Sequence, residues 1–189
     1  MHHIVTHMGQ CFTPLEPEID KILIEDIAHS LSLLCRANGH IDRFYSIAQH
    51  SISCVYEAKA RGYSARVQLA CLIHDGSEAY ISDITRPVKM YLPEYKIIEK
   101  RLQDTIYTKY LGVPLTEDEF LVVDEIDGNI LICEFHALSR NRELVGAYKT
   151  PIPVLKSSPS FETRPTEEVE TEFLKVYYGV MHAGIIQGR

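Results

Sequence analysis

The sequence predicts an all-α protein. Apolar residues recur at three- and four-residue steps in several windows, caps and glycine stops bracket those windows, and period-two alternation is scarce. With 189 residues, 46% of them hydrophobic, the chain is long enough for one domain with a substantial core and short for two. The expectation is one compact bundle of about six or more helices over residues 1–189, with its core at about 22–140 and a C-terminal loop and helix at about 149–182.

The elements follow in order. A first helix is expected from about Ile24 to Arg36, where Ile27, Leu31 and Leu34 share a face, with Gly39 as a stop. A second spans about Tyr45 to Arg61 and ends at Gly62. Ser64 suits the N-cap of a third, ending near His74, because its hydroxyl can accept a first-turn N–H. Pro87 and Pro93 punctuate the chain before a charged amphipathic helix, Glu94 to Leu111, closed by Gly112. Thr116 and Glu119 form a capping-box pattern for a helix running to about Arg140. Lys149 to Pro165, rich in Pro and Ser, reads as a surface loop, and the acids opening Thr166 to Met181 suit the N-terminus of a last helix. The start of the chain, with His2, His3 and His7, is expected to be floppy or peripheral and to bind metal only adventitiously.

Bulk properties narrow the function classes. The net charge is −7 and the basic residues are dispersed, which argues against a protein that grips duplex nucleic acid but is compatible with binding a single small nucleotide. Five cysteines, odd in number and widely spaced, indicate neither a disulfide framework nor a thiolate zinc site; buried free thiols in a reducing cytoplasm are expected. No apolar run approaches the roughly 18 residues of a membrane span, and no signal-peptide core is visible, so no membrane association is expected.

The chemistry concentrates around His74-Asp75, which ends the apolar stretch Val67 to Ile73 and precedes Glu78 and Asp83. An imidazole and a carboxylate losing hydration together need a proton, a cation or a metal in compensation. On a helical wheel His50 falls on one stripe with Ile47, Cys54 and Ala58, and His74 with Val67, Ala70 and Cys71, so both imidazoles face inward. In the 116–140 helix the expected buried stripe is Phe120, Val123, Leu131 and Leu138, and Asp127 and Glu134 fall within its arc. Buried carboxylates are paired or metal-bound; an arginine such as Arg36 or Arg43 could partner Glu134, while Asp127 suits a metal, with Asp124 in reserve. The expected shell is His50, His74, Asp75 and Asp127 around one divalent transition ion, Mn, Co, Zn, Fe or Ni, with a second metal such as Mg allowed.

The order His50, His74-Asp75, Asp127 resembles the H…HD…D signature of the HD-domain metal-dependent phosphohydrolases, an all-α superfamily. Ala48-Gln49-His50-Ser51, His74-Asp75-Gly76-Ser77-Glu78, Asp83 and Pro87-Val88-Lys89 resemble elements of its bacterial 5′-deoxynucleotidases, and the stretch from Ile24 to His50 is similar to compact phage and bacterial HD hydrolases, some of which are deoxynucleoside triphosphate hydrolases. Gln49 and Ser82 depart from the deoxynucleotidase pattern, which carries Glu and Gly there. The resemblance covers about residues 22–140. It implies metal-activated water attack on a deoxynucleoside mono- or triphosphate, with Glu78 orienting or deprotonating that water and Asp83 contacting the sugar or assisting proton transfer. Arg36, Arg43 and Lys89 are the candidates for contacting phosphate, each with a plain salt-bridge role as the alternative, and His29 and His40 are supporting candidates. Helical relatives of this size self-associate, which implies a homo-oligomer. A non-catalytic nucleotide sensor and a hydrolase of guanosine tetraphosphate or cyclic nucleotides are the alternatives.

Overall fold

The computed structural model describes residues 2–140 and 151–187. Its helices are α1 (Ile24–Leu33), α2 (Ile47–Ala60), α3 (Ala65–Ile73), α4 (Glu78–Ile81), α5 (Arg86–Lys89), α6 (Pro93–Leu111), α7 (Glu117–Leu138) and α8 (Thr166–Gln187). The expected all-α bundle is what the chain forms. Lys149 and Thr150, at the start of the expected loop, lie outside the described residues.

Local chemistry sets the helix ends. Ser46 opens α2 with a full capping box, its hydroxyl accepting from Gln49 N at 3.2 Å while the Gln49 side chain accepts from Ser46 N at 3.3 Å. Gln49 therefore fills the capping role open to Glu or Gln at that place. Ser64 caps α3 through Val67 N, and Thr116 and Glu119 form the anticipated box on α7. Gly62 and Gly112 close their helices at φ +82° and +83°, a region that costs glycine little.

Helix α2 lies at the centre, packed by α1, α3, α7 and α8. Small side chains on several of its faces, including Ala48, Ser51, Cys54 and Ala58, admit neighbours closely, so most of the helix is buried and not merely the stripe that carries His50. One contiguous core runs from Phe12 to Phe173, drawing in α8 through Val169 and Phe173. The described helices include none long and apolar enough to cross a membrane.

Three expectations are corrected. The first helix ends at Leu33, because the chain turns through Ala37 and Asn38 in left-handed conformations (φ 51° and 49°), closed by Arg36 N donating to Tyr45 O at 2.9 Å. The N-terminus is peripheral but built and not floppy: strands β1 (Ile4–Val5) and β2 (Cys11–Phe12) form a short, largely exposed antiparallel hairpin, anchored by fully buried Phe12 and by Met8 N donating to Asp26 Oδ1 at 2.7 Å. The buried stripe of α7 is Val123, Ile126, Ile130, Glu134 and Leu138, whereas Phe120 is 56% exposed and Leu131 half-buried. A stripe through Phe120 is rotated from the observed one, because packing against α2 and α3 selects the adjacent ridge. Of the five free cysteines, Cys54 and Cys71 are buried, and Cys11 is exposed at the hairpin.

Candidate metal centre

Three helices deliver the site. His50 projects from the middle of α2, fully buried; His74 and Asp75 sit where α3 gives way to a tight turn; Asp127 comes from α7. Gln103 on α6 braces that turn, accepting from Ser77 N at 3.0 Å and donating to Ile73 O at 2.8 Å. Nothing in the sequence pattern had singled out Gln103, because its role depends on α6 crossing the end of α3.

The donor atoms converge. His50 Nε2 stands 2.9 Å from Asp127 Oδ1 and 3.3 Å from His74 Nε2, which is itself 3.3 Å from Asp75 Oδ2 and 3.8 Å from Asp127 Oδ1. Ligand atoms about 2.1 Å from one ion lie roughly 3.0–3.4 Å from each other; three of these separations are at or near that range and the His74–Asp127 separation is wider, and the donor chemistry is that of a divalent-metal site. Both imidazoles are held by their other nitrogen: His50 Nδ1 is 2.8 Å from Glu134 Oε1, and His74 Nδ1 donates to Cys71 O at 2.8 Å. Such partners fix the tautomer and aim Nε2 at the centre.

Cys54 was not foreseen as part of this cluster. Its Sγ lies 3.6 Å from His50 Nε2, and His50, Cys54 and His74 form a buried group that could hold a metal. Burial pushes the Cys54 thiol above its ordinary pKa, which disfavours the thiolate that coordinates metals. The nearer Asp127 carboxylate is the better donor to an ion beside His50.

The electrostatics accord with a cation centre. Despite burial, bonds to His50 and His74 hold the Asp127 carboxyl far below the usual range. Burial and the charge of Arg36 oppose protonation of His50, yet Cys54, Glu134 and Asp127 outweigh them and raise its pKa. His74 is raised too: burial opposes the charged ring, and Asp75 and Asp127 overcome it.

A cavity of about 590 Å³ opens beside this centre. His74, Asp75, Asp127 and Glu78 reach its wall, which Lys89, Lys96 and Lys100 and the larger side chains Tyr107, Leu115 and Phe120 also line. Glu78 is only 7% exposed, and its Oε2 has no hydrogen-bond partner among the described residues. Burial, followed by the charges of Asp75 and Asp83, pushes its carboxyl well above the ordinary value against Arg36 and Lys89. Asp83 follows the left-handed Ser82 (φ 65°) and its charge acts on both Glu78 and Lys89, but it does not line the cavity. The reserve candidate Asp124 does line it.

The basic candidates divide. Lys89 lines the cavity and pairs with Glu99 at 2.6 Å. Arg36 is turned inward, 3.4 Å from both Asp75 Oδ2 and Glu134 Oε2, so it neutralises carboxylates around the donor set and is the anticipated partner of Glu134. Arg43 is not brought to the site: it is exposed and pairs with Glu162 at 2.6 Å, because the segment around Glu162 and Thr163 crosses the start of α2. His40 is exposed, and His29 belongs to a separate cluster.

Over 114 residues the chain is 40% identical to the uncharacterized protein YfdR of Escherichia coli strain K12, a match covering 60% of this chain and 61% of that protein. It is 31% identical over 176 residues to the uncharacterized protein RCAP_rcc00048 of Rhodobacter capsulatus, covering 87% of this chain and 88% of that one. The chain therefore matches less than two thirds of the length of the first relative and most of the second. No family model matches the sequence.

Proposed function

We propose that this chain, which belongs to one family with the Rhodobacter capsulatus protein RCAP_rcc00048, is a divalent-metal-dependent phosphohydrolase acting on deoxynucleotides. The observation that carries the proposal is the convergence of His50, His74, Asp75 and Asp127 beside a cavity also lined by the buried Glu78, whose Oε2 has no hydrogen-bond partner among the described residues. These four residues would hold the ion, drawn from Mn, Co, Zn, Fe or Ni; Mg is the candidate for any second metal. When bound, a divalent ion supplies a Lewis acid that polarises a phosphoryl oxygen and acidifies water.

The chain's own groups do the rest. Glu78 accepts the proton of the attacking water, a role suited to a carboxylate whose burial raises its basicity. Arg36, 3.4 Å from a carboxylate oxygen of each, holds Asp75 and Glu134 in place. Tyr107, Leu115 and Phe120 offer the base and sugar an apolar wall.

Charge favours a monophosphate over a triphosphate. The cavity wall carries more carboxylates than ammonium groups, and Lys89 and Lys100 are each matched by an acid. Lys96 makes no ion pair among the described residues and is left for the substrate. One phosphoryl group is about what one free ammonium and one ion can neutralise.

A product-resolved screen of ribo- and deoxynucleotides at the mono-, di- and triphosphate levels, with Mn or Co added, tests the proposal. Release of inorganic phosphate from deoxynucleoside monophosphates is expected, and Asp75→Ala abolishes both metal binding and turnover. Release of tripolyphosphate would move the substrate to the triphosphate. Nucleotide binding without turnover under every metal would replace hydrolysis with a sensor role.

A further inference from the structure

A second cluster of metal-competent side chains lies outside the site described above and shares no residue with it. His7 from the N-terminal hairpin, His29 from α1 and Glu170 from α8 each offer a ligand atom, all within 4.8 Å of one another. His29 Nδ1 is 2.9 Å from Glu170 Oε2, and the His7 and His29 rings stack with centroids 3.6 Å apart and planes 15° from parallel. We propose that His7, His29 and Glu170 form a second divalent-metal site that fastens the N-terminal hairpin and α8 onto α1.

Three observations support it. First, the donors are brought together by tertiary structure and not by sequence: they lie on elements separated by 22 and 141 residues, so convergence is not a by-product of one helix face. Second, His7 is presented by a built turn. Thr6 O accepts from Gly9 N at 2.9 Å, and the residue after His7 donates its N–H to Asp26 Oδ1 at 2.7 Å, one helical turn before His29. Asp26 is 3% exposed, so the peg that holds this turn is itself set in the protein.

Third, the donor set has coordination chemistry. Two imidazoles and a carboxylate suit Zn, Co, Ni or Cu better than Ca or Mg, and leave positions for water. Stacked rings present their lone pairs side by side, so the exposed His7 must turn about its side-chain bonds to bring a nitrogen to the ion. Its exposure permits this, whereas His29 and Glu170 are half-buried and already directed at each other. An ion here would join chain segments distant in sequence and bind only the folded protein, so its free energy adds to stability.

The test is a zinc titration of the chelator-stripped full chain against a chromophoric competitor, on wild type, His29→Ala, Glu170→Gln, Asp127→Ala and a His2→Ala/His3→Ala double variant. Far-ultraviolet circular dichroism of each metal-free variant checks that it folds. Two equivalents are expected for wild type. His29→Ala and Glu170→Gln each lose or weaken one at least tenfold and keep the other; Asp127→Ala loses the other. The double variant keeps both. Wild-type stoichiometry and affinity in His29→Ala, or loss of the second equivalent in the double variant, overturns the proposal. Because the two sites are removed by different substitutions, failure of this proposal is distinguishable from failure of the phosphohydrolase assignment.

Discussion

Glu78 and Asp127 border one cavity yet are driven in opposite directions. Glu78 is raised by burial and by the neighbouring charges of Asp75 and Asp83, while Asp127 is lowered because two imidazoles bond to it. Carboxylates split in this way suit different tasks, one accepting a proton and the other remaining an anionic ligand. Glu78→Gln keeps the shape and the metal donors but removes the base. We expect it to retain metal affinity while kcat falls about 10²–10⁴-fold, measured by metal titration alongside steady-state kinetics. Unchanged kcat would remove Glu78 from the reaction.

At the scale of elements, the α3–α4 turn is closely packed against α6. A Cβ added at Gly76 would lie 3.0 Å from Ile73 O and 3.3 Å from the Ile106 side chain, so any larger residue there requires the turn or Ile106 to give by a few tenths of an ångström. Gly76→Ala is expected to destabilise the protein by about 1–3 kcal/mol, read from the urea midpoint, and to weaken metal binding because His74 and Asp75 shift with the turn.

The segment from Pro151 to Pro165 is a loop, as its Pro and Ser content implied, but it is tied down through Glu57 of α2. The buried Glu57 carboxylate accepts from Lys156 N, Ser157 N, Ser157 Oγ and Arg61 Nε at 2.6–3.0 Å. Burial opposes its charge, and these bonds outweigh that cost, lowering its pKa to about 2. A folded pKa below the unfolded value of 4.5 stabilises above that value and is lost as pH falls from 4.5 towards 2. The difference corresponds to about 3 kcal/mol. Wild type should therefore lose more stability than Glu57→Gln between pH 5 and pH 2.5, measured by urea denaturation; equal losses would contradict the latch.

At the scale of the whole molecule, the candidate metal centre joins the helices that build the core. α2, α3 and α7 each contribute donors, and α2 and α3 pack against α8 as well. Asp75, Asp127 and Glu134 there surround Arg36 and two imidazoles, so a bound divalent ion would add positive charge where carboxylates are concentrated. Chelation should lower the melting temperature in a manner reversed by added Mn or Co. At a hundredfold excess of metal over its Kd, linkage gives about 2.7 kcal/mol, or roughly 5–10 °C for a chain of this size. Calorimetry with and without chelator measures it; no shift would indicate that the donors do not bind metal in the folded state.

The all-α architecture and most helix limits were written in local chemistry: Ser46, Ser64 and Thr116 at the starts, Gly62 and Gly112 at the ends, and three- and four-residue apolar steps between. The four proposed donors were legible for the same reason, since an imidazole or carboxylate on an apolar helix face calls for a partner. Tertiary structure alone decided which partner each group met. It turned Arg36 inward to Asp75 and Glu134, left Arg43 outside with Glu162, placed Cys54 beside His50, braced the α3–α4 turn with Gln103, and brought His7 and His29 to Glu170. Helix periodicity specifies a face to within a fraction of a turn, whereas an ion pair or a ligand set depends on ångström-scale contacts between elements remote in the chain. Those contacts exist only once the helices have packed.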